Sequence, residues 1–281
     1  MKRLLASLLS AACGFAAAQS PAVNPMPDGS RDMFVGLGVS SQPRYDGADG
    51  RRTRALPLLQ VEFSNGVFIS GMSAGWHLSR QPTLEYGPLL ALQPRRDETG
   101  GAAVLGGTGG IPVTAVAPPP TRLALATNRL AGMEAIGAHL QGGAFLNVYL
   151  NPEVRVTNSL LYGAGGDGLV WELAAQRVAA GFGAHHRVAF SAGIELVNRA
   201  YNTSFFGVTA AQHLRSGNAQ YAPAGGVKDV FASARWNWSL SQDWMLTTAV
   251  RVASLRGDAR RSPLVERPAQ LSISTGLARR F

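Results

Sequence analysis

Along residues 270–281 the side chains change character at almost every step. Leu271, Ile273, Leu277 and Phe281 share one parity, and Gln270, Ser272, Ser274, Gly276, Ala278 and Arg280 share the other. Successive side chains of a strand point to opposite faces, so this segment has one apolar face and one small, polar face. The same period recurs upstream. Met33, Val35, Leu37 and Val39 alternate with Gly36 and Gly38, and Leu59, Val61 and Phe63 with Gln60, Glu62 and Ser64. After the hairpin signal Asn65-Gly66, the spacing sets Phe68, Met72, Trp76 and Leu78 against Gly71, Ser73, Gly75 and His77. Later segments repeat the pattern, among them Val188, Phe190, Ala192, Ile194 and Leu196 against Arg187, Ser191, Gly193 and Glu195.

Twelve such segments are predicted, near 32–41, 54–64, 67–79, 83–94, 136–150, 153–163, 168–180, 186–198, 204–214, 226–239, 243–255 and 270–281. The strand at 204–214 has the weakest alternation, and ten strands is the alternative count. Hydrophobic residues make up 46% of the chain, yet no stretch after the leader reaches the length of a membrane helix. Thirty-three glycines argue against a helical bundle, because each costs a helix about 1 kcal/mol relative to alanine. These properties predict an all-β fold, a transmembrane antiparallel up-and-down β-barrel, apolar toward lipid and polar toward a lumen. A soluble sandwich or lipocalin-like barrel shows the same alternation with its faces exchanged. Against it stand aromatics near segment ends (Trp76, Tyr162, Trp171, Trp236, Trp238, Trp244), where interfacial girdles lie.

The N-terminus reads as a secretory signal: basic Lys2-Arg3, an apolar run from Leu4 to Ala17, and Ala16-Ala17-Ala18 before Gln19, which places cleavage between Ala18 and Gln19. The domain plan is a signal peptide at 1–18, a disordered leader at 19–31 and the barrel at 32–281. The only cysteine, Cys13, lies in the leader; a lipoprotein signal is the lesser alternative there. Cleavage after Ala18 leaves no thiol for a disulfide, for catalysis or for a metal. The formal charge of +9 suits lipopolysaccharide phosphates or acidic wall polymers better than nucleic acid in an exported chain. The expected location is the Gram-negative outer membrane. Residues 99–120 form a Gly/Pro-rich loop, which the twelve-segment parity puts on the periplasmic side with Asn65-Gly66 and Ser241-Gln242-Asp243; loops 42–53, 215–225 and 256–268 fall outside.

Catalytic signals are missing. The five histidines (His77, His139, His185, His186, His213) form no HExxH, there is no paired-cysteine site, no acidic calcium loop and no G-x-S-x-G. Ser191, Ser204, His186 and His213 are present, but nothing in their spacing selects a nucleophile–base pair. No enzyme, cofactor or metal is expected. Lumen-facing charges, Glu85, Arg155, Glu172, Arg187, Glu195, Arg235 and Arg251, are expected to compensate one another in a small barrel.

The most specific motifs lie in the last third: Tyr201-Asn202-Thr203-Ser204-Phe205-Phe206-Gly207-Val208-Thr209, then Gly257-Asp258-Ala259 and Ser262-Pro263. Together with Val35-Gly36-Leu37-Gly38-Val39 they resemble the MipA/OmpV family of MltA-interacting proteins. Two departures are the Gly/Pro insertion before Leu130-Ala131-Gly132-Met133, and Gln141 where an acidic residue is usual. The resemblance implies an outer-membrane barrel acting as a non-catalytic scaffold, with a lytic transglycosylase and a peptidoglycan synthase as partners. A narrow porin-like channel, or a role in adhesion or osmotic response, is the alternative. Terminal Phe281, with Ile273 and Leu277, also resembles the signal that barrel precursors present to the barrel-assembly machinery; Arg279 departs from that pattern.

Overall fold

The computed structural model describes residues 29–79, 81–101, 105–108, 128–164, 168–179 and 183–281. The predicted signal peptide, its Ala18–Gln19 junction and most of the 99–120 loop lie outside the described residues. Alternation produces long strands: β1 (Arg31–Pro43), β2 (Arg51–Phe63), the short β3 (Val67–Ser70) and β4 (Ser73–Trp76), and β5 (Leu84–Gln93). A small ribbon, β6 (Arg96–Asp97) and β7 (Gly100–Gly101), follows. Then come β8 (His139–Tyr149), β9 (Val154–Gly163), β10 (Gly168–Ala179) and β11 (His186–Val197). After helices α1 (Arg199–Phe206) and α2 (Ala210–Ser216) the chain continues with β12 (Gly226–Ser239), β13 (Trp244–Leu255), helix α3 (Gly257–Arg261) and β14 (Ala269–Arg280).

Twelve of the fourteen strands close into one antiparallel barrel in sequential order, with β6–β7 apart. The seam joins β1 to β14, from Phe34 opposite Arg280 to Ser41 opposite Ile273. Phe281 donates its N–H to the Met33 carbonyl at 2.8 Å, and Arg280 clasps both carboxylate oxygens of Asp32 at 2.7 and 2.9 Å. Gly38 faces Gly276 across this seam, where a Cβ on Gly38 would strike the Thr275 carbonyl. Large apolar side chains stand on the outer face; Leu37, for instance, is 63% exposed. Ile273, Leu277 and Phe281 belong to that face. Closure leaves no unpaired strand edge at the seam, and the outer belt is the surface that hydrocarbon covers.

The count of twelve stands, but two of its members differ from expectation. Residues 67–79 do not run as one strand. Gly71, at φ +57°, and Met72 form a tight loop, and Ser70 pairs with Ser73. The reversal shifts the alternation, so Phe68 is buried inside (7% exposed) while Trp76 stands outside (48% exposed). Residues 204–214 are helical rather than extended. The Asn198 side chain caps α1 by accepting from Tyr201 N–H, and Thr209 with Gln212 forms a capping box at α2. Those caps were legible in the sequence and outrank its weak alternation.

The extra reversal at Gly71 moves every later connection of the early half to the other end of the barrel. The segment from residue 94 to 138 therefore leaves from the long-loop end, not the short-turn end assigned to it by parity. Its first part returns to the wall. β3 and β4 are only four residues each, and beyond them the edge of β2 bonds instead to this segment: Leu59 N–H to the Gly106 carbonyl at 2.9 Å, Gly106 N–H to the Pro57 carbonyl at 2.8 Å. Leu105 packs there against Leu56, Leu58 and Met72, and Thr108 reaches the lumen, donating to Gln60 Oε1 at 2.5 Å.

Candidate functional site

Inside the barrel the charges are organised around one lysine. At Glu195/Leu196 the β11–β12 ladder slips by one residue, and the bulge turns both Lys228 and its neighbour Asp229 inward. Lys228 Nζ, on a side chain 7% exposed, lies 2.7 Å from Glu195, 3.3 Å from Asp46 and 3.3 Å from Asp229. Arg251 completes the network at 3.6 Å from Glu172 and 3.9 Å from Glu195 and Asp229, its guanidinium lying over the Phe231 ring. Asp46 comes from the β1–β2 loop, and Lys228 holds its carboxyl below the usual carboxylate range.

A second network fills the lumen nearer the short turns. Glu85 accepts from Asn147 at 2.8 Å and Tyr149 at 3.0 Å and sits 2.9 Å from His77 Nδ1. Arg155 adds bonds to Gln176 at 2.5 Å and Tyr149 at 3.0 Å. The expected compensating pairs thus form for Glu85, Arg155, Glu172, Glu195 and Arg251. Arg187 lies exposed on β11 toward the short turns, and Arg235 meets no carboxylate among the described residues. Lys228 and Asp229 were not anticipated, because strict alternation allows only one of two adjacent residues to face inward. Two of the chambers among the described residues, of about 430 and 160 Å³, are both bordered by Ser159 and Glu172.

The motif residues build a roof over the long-loop mouth. Tyr201, Phe205 and Phe206 of α1 pack on Val197, Leu255 and Ala259, and burial raises the pKa of the Tyr201 phenol. Asn202 donates to the Ala224 carbonyl at 2.5 Å, and Ser262, followed by Pro263, to the Phe206 carbonyl at 2.7 Å. Asp258, preceded by Gly257, accepts the Ala224 N–H at 2.7 Å, which holds its carboxyl below the ordinary range, and also pairs with Arg261. Gly207 ends α1, Thr209 caps α2, and Val208 joins Leu130, Met133 and Leu264 in an apolar cluster. Leu130 and Leu264 belong to the β5–β8 and β13–β14 connections, which start on opposite sides of the twelve-strand ring, so the roof spans the mouth.

Arg96 of β6 is the roof's central tie. Buried, it donates to the carbonyls of Phe205 at 2.5 Å and Ser204 at 3.2 Å at the C-terminal end of α1, and desolvation pushes its pKa down to about 10. A cation there meets the negative end of the helix. Arg96→Met should weaken the roof by about 1.5–3 kcal/mol, read as faster limited proteolysis within 198–225 while the barrel strands stay resistant. Unchanged cleavage would rule out this tie.

The histidines have other occupations. His186 stacks on Trp236 and takes its indole N–H at 3.2 Å on the outer rim, and His213 Nδ1 lies 2.7 Å from the Asn218 carbonyl. His77 belongs to the Glu85 network.

A closed twelve-strand antiparallel barrel with an apolar outer belt, a polar lumen and a looped mouth is a β-barrel of the outer-membrane type. The chain belongs to the family described as MltA-interacting protein MipA, which it matches over residues 35–281. No curated protein matches it. Among solved structures it resembles the KdgM porin at 9% identity, covering 88% of this chain and 99% of that one, with a TM-score of 0.44. The NanC porin gives 9% identity, 88% and 98% coverage and a TM-score of 0.43. The translocator domain of the autotransporter NalP from Neisseria meningitidis gives 11%, 92% and 91%, and 0.44.

Proposed function

We propose that this protein is a Gram-negative outer-membrane barrel serving as a non-catalytic interaction protein for murein-remodelling enzymes, rather than an open pore. The observation that carries this reading is the roof: loops from opposite sides of the ring pack together over the mouth, above a lumen crossed by ion pairs. The family description, MltA-interacting protein, points to a lytic transglycosylase as the partner class, and the sequence resemblance adds a peptidoglycan synthase as its counterpart. Barrels of this kind keep short turns in the periplasm. Partner contact then falls to the turns near Asn65, Asn151 and Gln242 rather than to the connection that leaves β5 at the other end of the barrel. Cleavage after Ala18, and recognition of Ile273, Leu277 and Phe281 by the assembly machinery, belong to the same proposal.

Reconstitution in planar bilayers should give conductance far below that of an open porin. Photo-crosslinkers at Asn65, Asn151 or Gln242 should capture a lytic transglycosylase in cells, whereas one at Leu214 of the roof should not. Steady open-pore currents, or no enrichment over an unrelated barrel, would reject the reading. The two adjoining chambers favour a second reading, a narrow channel for small solutes, which the same bilayer recording separates.

A further inference from the structure

Arg235 lies on the lumenal face of β12 and stays outside the ion-pair networks formed by the described residues. Its cross-strand neighbours are Ala189 on β11 and Ala249 on β13, neither of which carries an acceptor side chain. Its Nη1 is buried and has no hydrogen-bond partner among the described residues. The charge that acts on it most is another cation, Arg155, already engaged by Gln176 and Tyr149. Lys228 and Arg251, by contrast, meet carboxylates.

Arg235 borders the larger chamber, of about 430 Å³. Gln141 borders it too, and its Nε2 is a second buried donor without a partner among the described residues. Ser159 and Thr247 also line the chamber. Buried donors without acceptors are costly, and a buried guanidinium without an anion more so. Their natural complement is a ligand that brings acceptor oxygens. A planar carboxylate matches the guanidinium fork, and hydroxyl groups match the amide and the two lining residues. Glu172, on the same chamber, disfavours a doubly charged anion.

We propose that Arg235 is the anchor of a lumenal binding site for a small hydroxylated monocarboxylate, its carboxylate paired to the guanidinium and its hydroxyls directed toward Gln141, Ser159 and Thr247. This goes beyond the scaffold reading and does not depend on it.

The test uses the full-length protein in detergent micelles, with gluconate and the neutral polyol sorbitol as calorimetric probes. Wild type should bind gluconate roughly tenfold or more tighter than sorbitol. Arg235→Met should abolish that preference, and Arg235→Lys should retain part of it. Because Arg235→Met removes an uncompensated buried charge, it should also unfold at a higher temperature than wild type, which a structural strut would not do. Absence of gluconate binding by wild type, equal binding by wild type and Arg235→Met, or a lower unfolding temperature for Arg235→Met would each overturn the proposal. None of these outcomes bears on the crosslinking result, so the two proposals fail separately.

Discussion

Replacing Lys228 by methionine should cost the barrel about 3–5 kcal/mol, the loss typical when one partner of a buried ion pair is removed. Glu195, Asp229 and Asp46 would keep their charges in a narrow lumen with only Arg251 to oppose them, and Arg251 stands no nearer than 3.9 Å to Glu195 and Asp229. The cost arises from desolvated carboxylates left without a cation, more than from the lost attraction itself. Neutralising the closest of them should therefore recover much of the stability: Lys228→Met with Glu195→Gln should unfold at a urea concentration between wild type and the single variant. Urea titration of the refolded barrel reads both. A single variant as stable as wild type would show that the carboxylates take up protons or water at little expense, and the network would lose its structural role.

The second large effect is expected at the seam. Gly38→Val puts a branched side chain where even a Cβ would overlap the Thr275 carbonyl and the Gly276 backbone. Backbone atoms cannot rotate out of the way as a side chain can, so β1 and β14 must separate locally and give up ladder hydrogen bonds, each worth about 1 kcal/mol. In a barrel that loss reopens an edge strand inside the membrane, where unpaired peptide groups cost several kcal/mol each. The heat-modifiable folded band should largely disappear. Val39→Ala, one residue along but on the lipid-facing side, should leave it intact, which separates a packing failure from general intolerance of change in β1. Normal folding of Gly38→Val would mean that the seam is wider than its backbone register implies.

Much of the fold was legible in the chain. β11 and β14 fall within one or two residues of their predicted limits because their alternation is unbroken over a whole strand. The lumenal positions of Glu85, Glu172, Glu195 and Arg251 follow from the same rule. Reading failed where a local event resets the alternation. At Gly71-Met72 a tight loop divides one apparent strand into two, which turns Phe68 inward while Trp76 stays outside and sends the 94–138 connection to the other end. At Lys228 a bulge brings two neighbours to one side. Neither event carries a signal strong enough to override eight or ten residues of regular pattern. The motif residues were found by resemblance, yet their task, joining the β5–β8, β11–β12 and β13–β14 loops into a roof, involves contacts between segments more than a hundred residues apart, such as Arg96 with Phe205.

What the chain determined by itself is the two-faced strand, since the pleat assigns each side chain to a face using only its immediate neighbours. That suffices for an apolar exterior, a polar interior and closure into a ring. Tertiary structure alone decided which charges meet across the lumen, which one is left over at Arg235, and which loops converge above it. Those relations depend on the register and curvature of the closed wall, and these are set jointly by twelve strands rather than by any one of them.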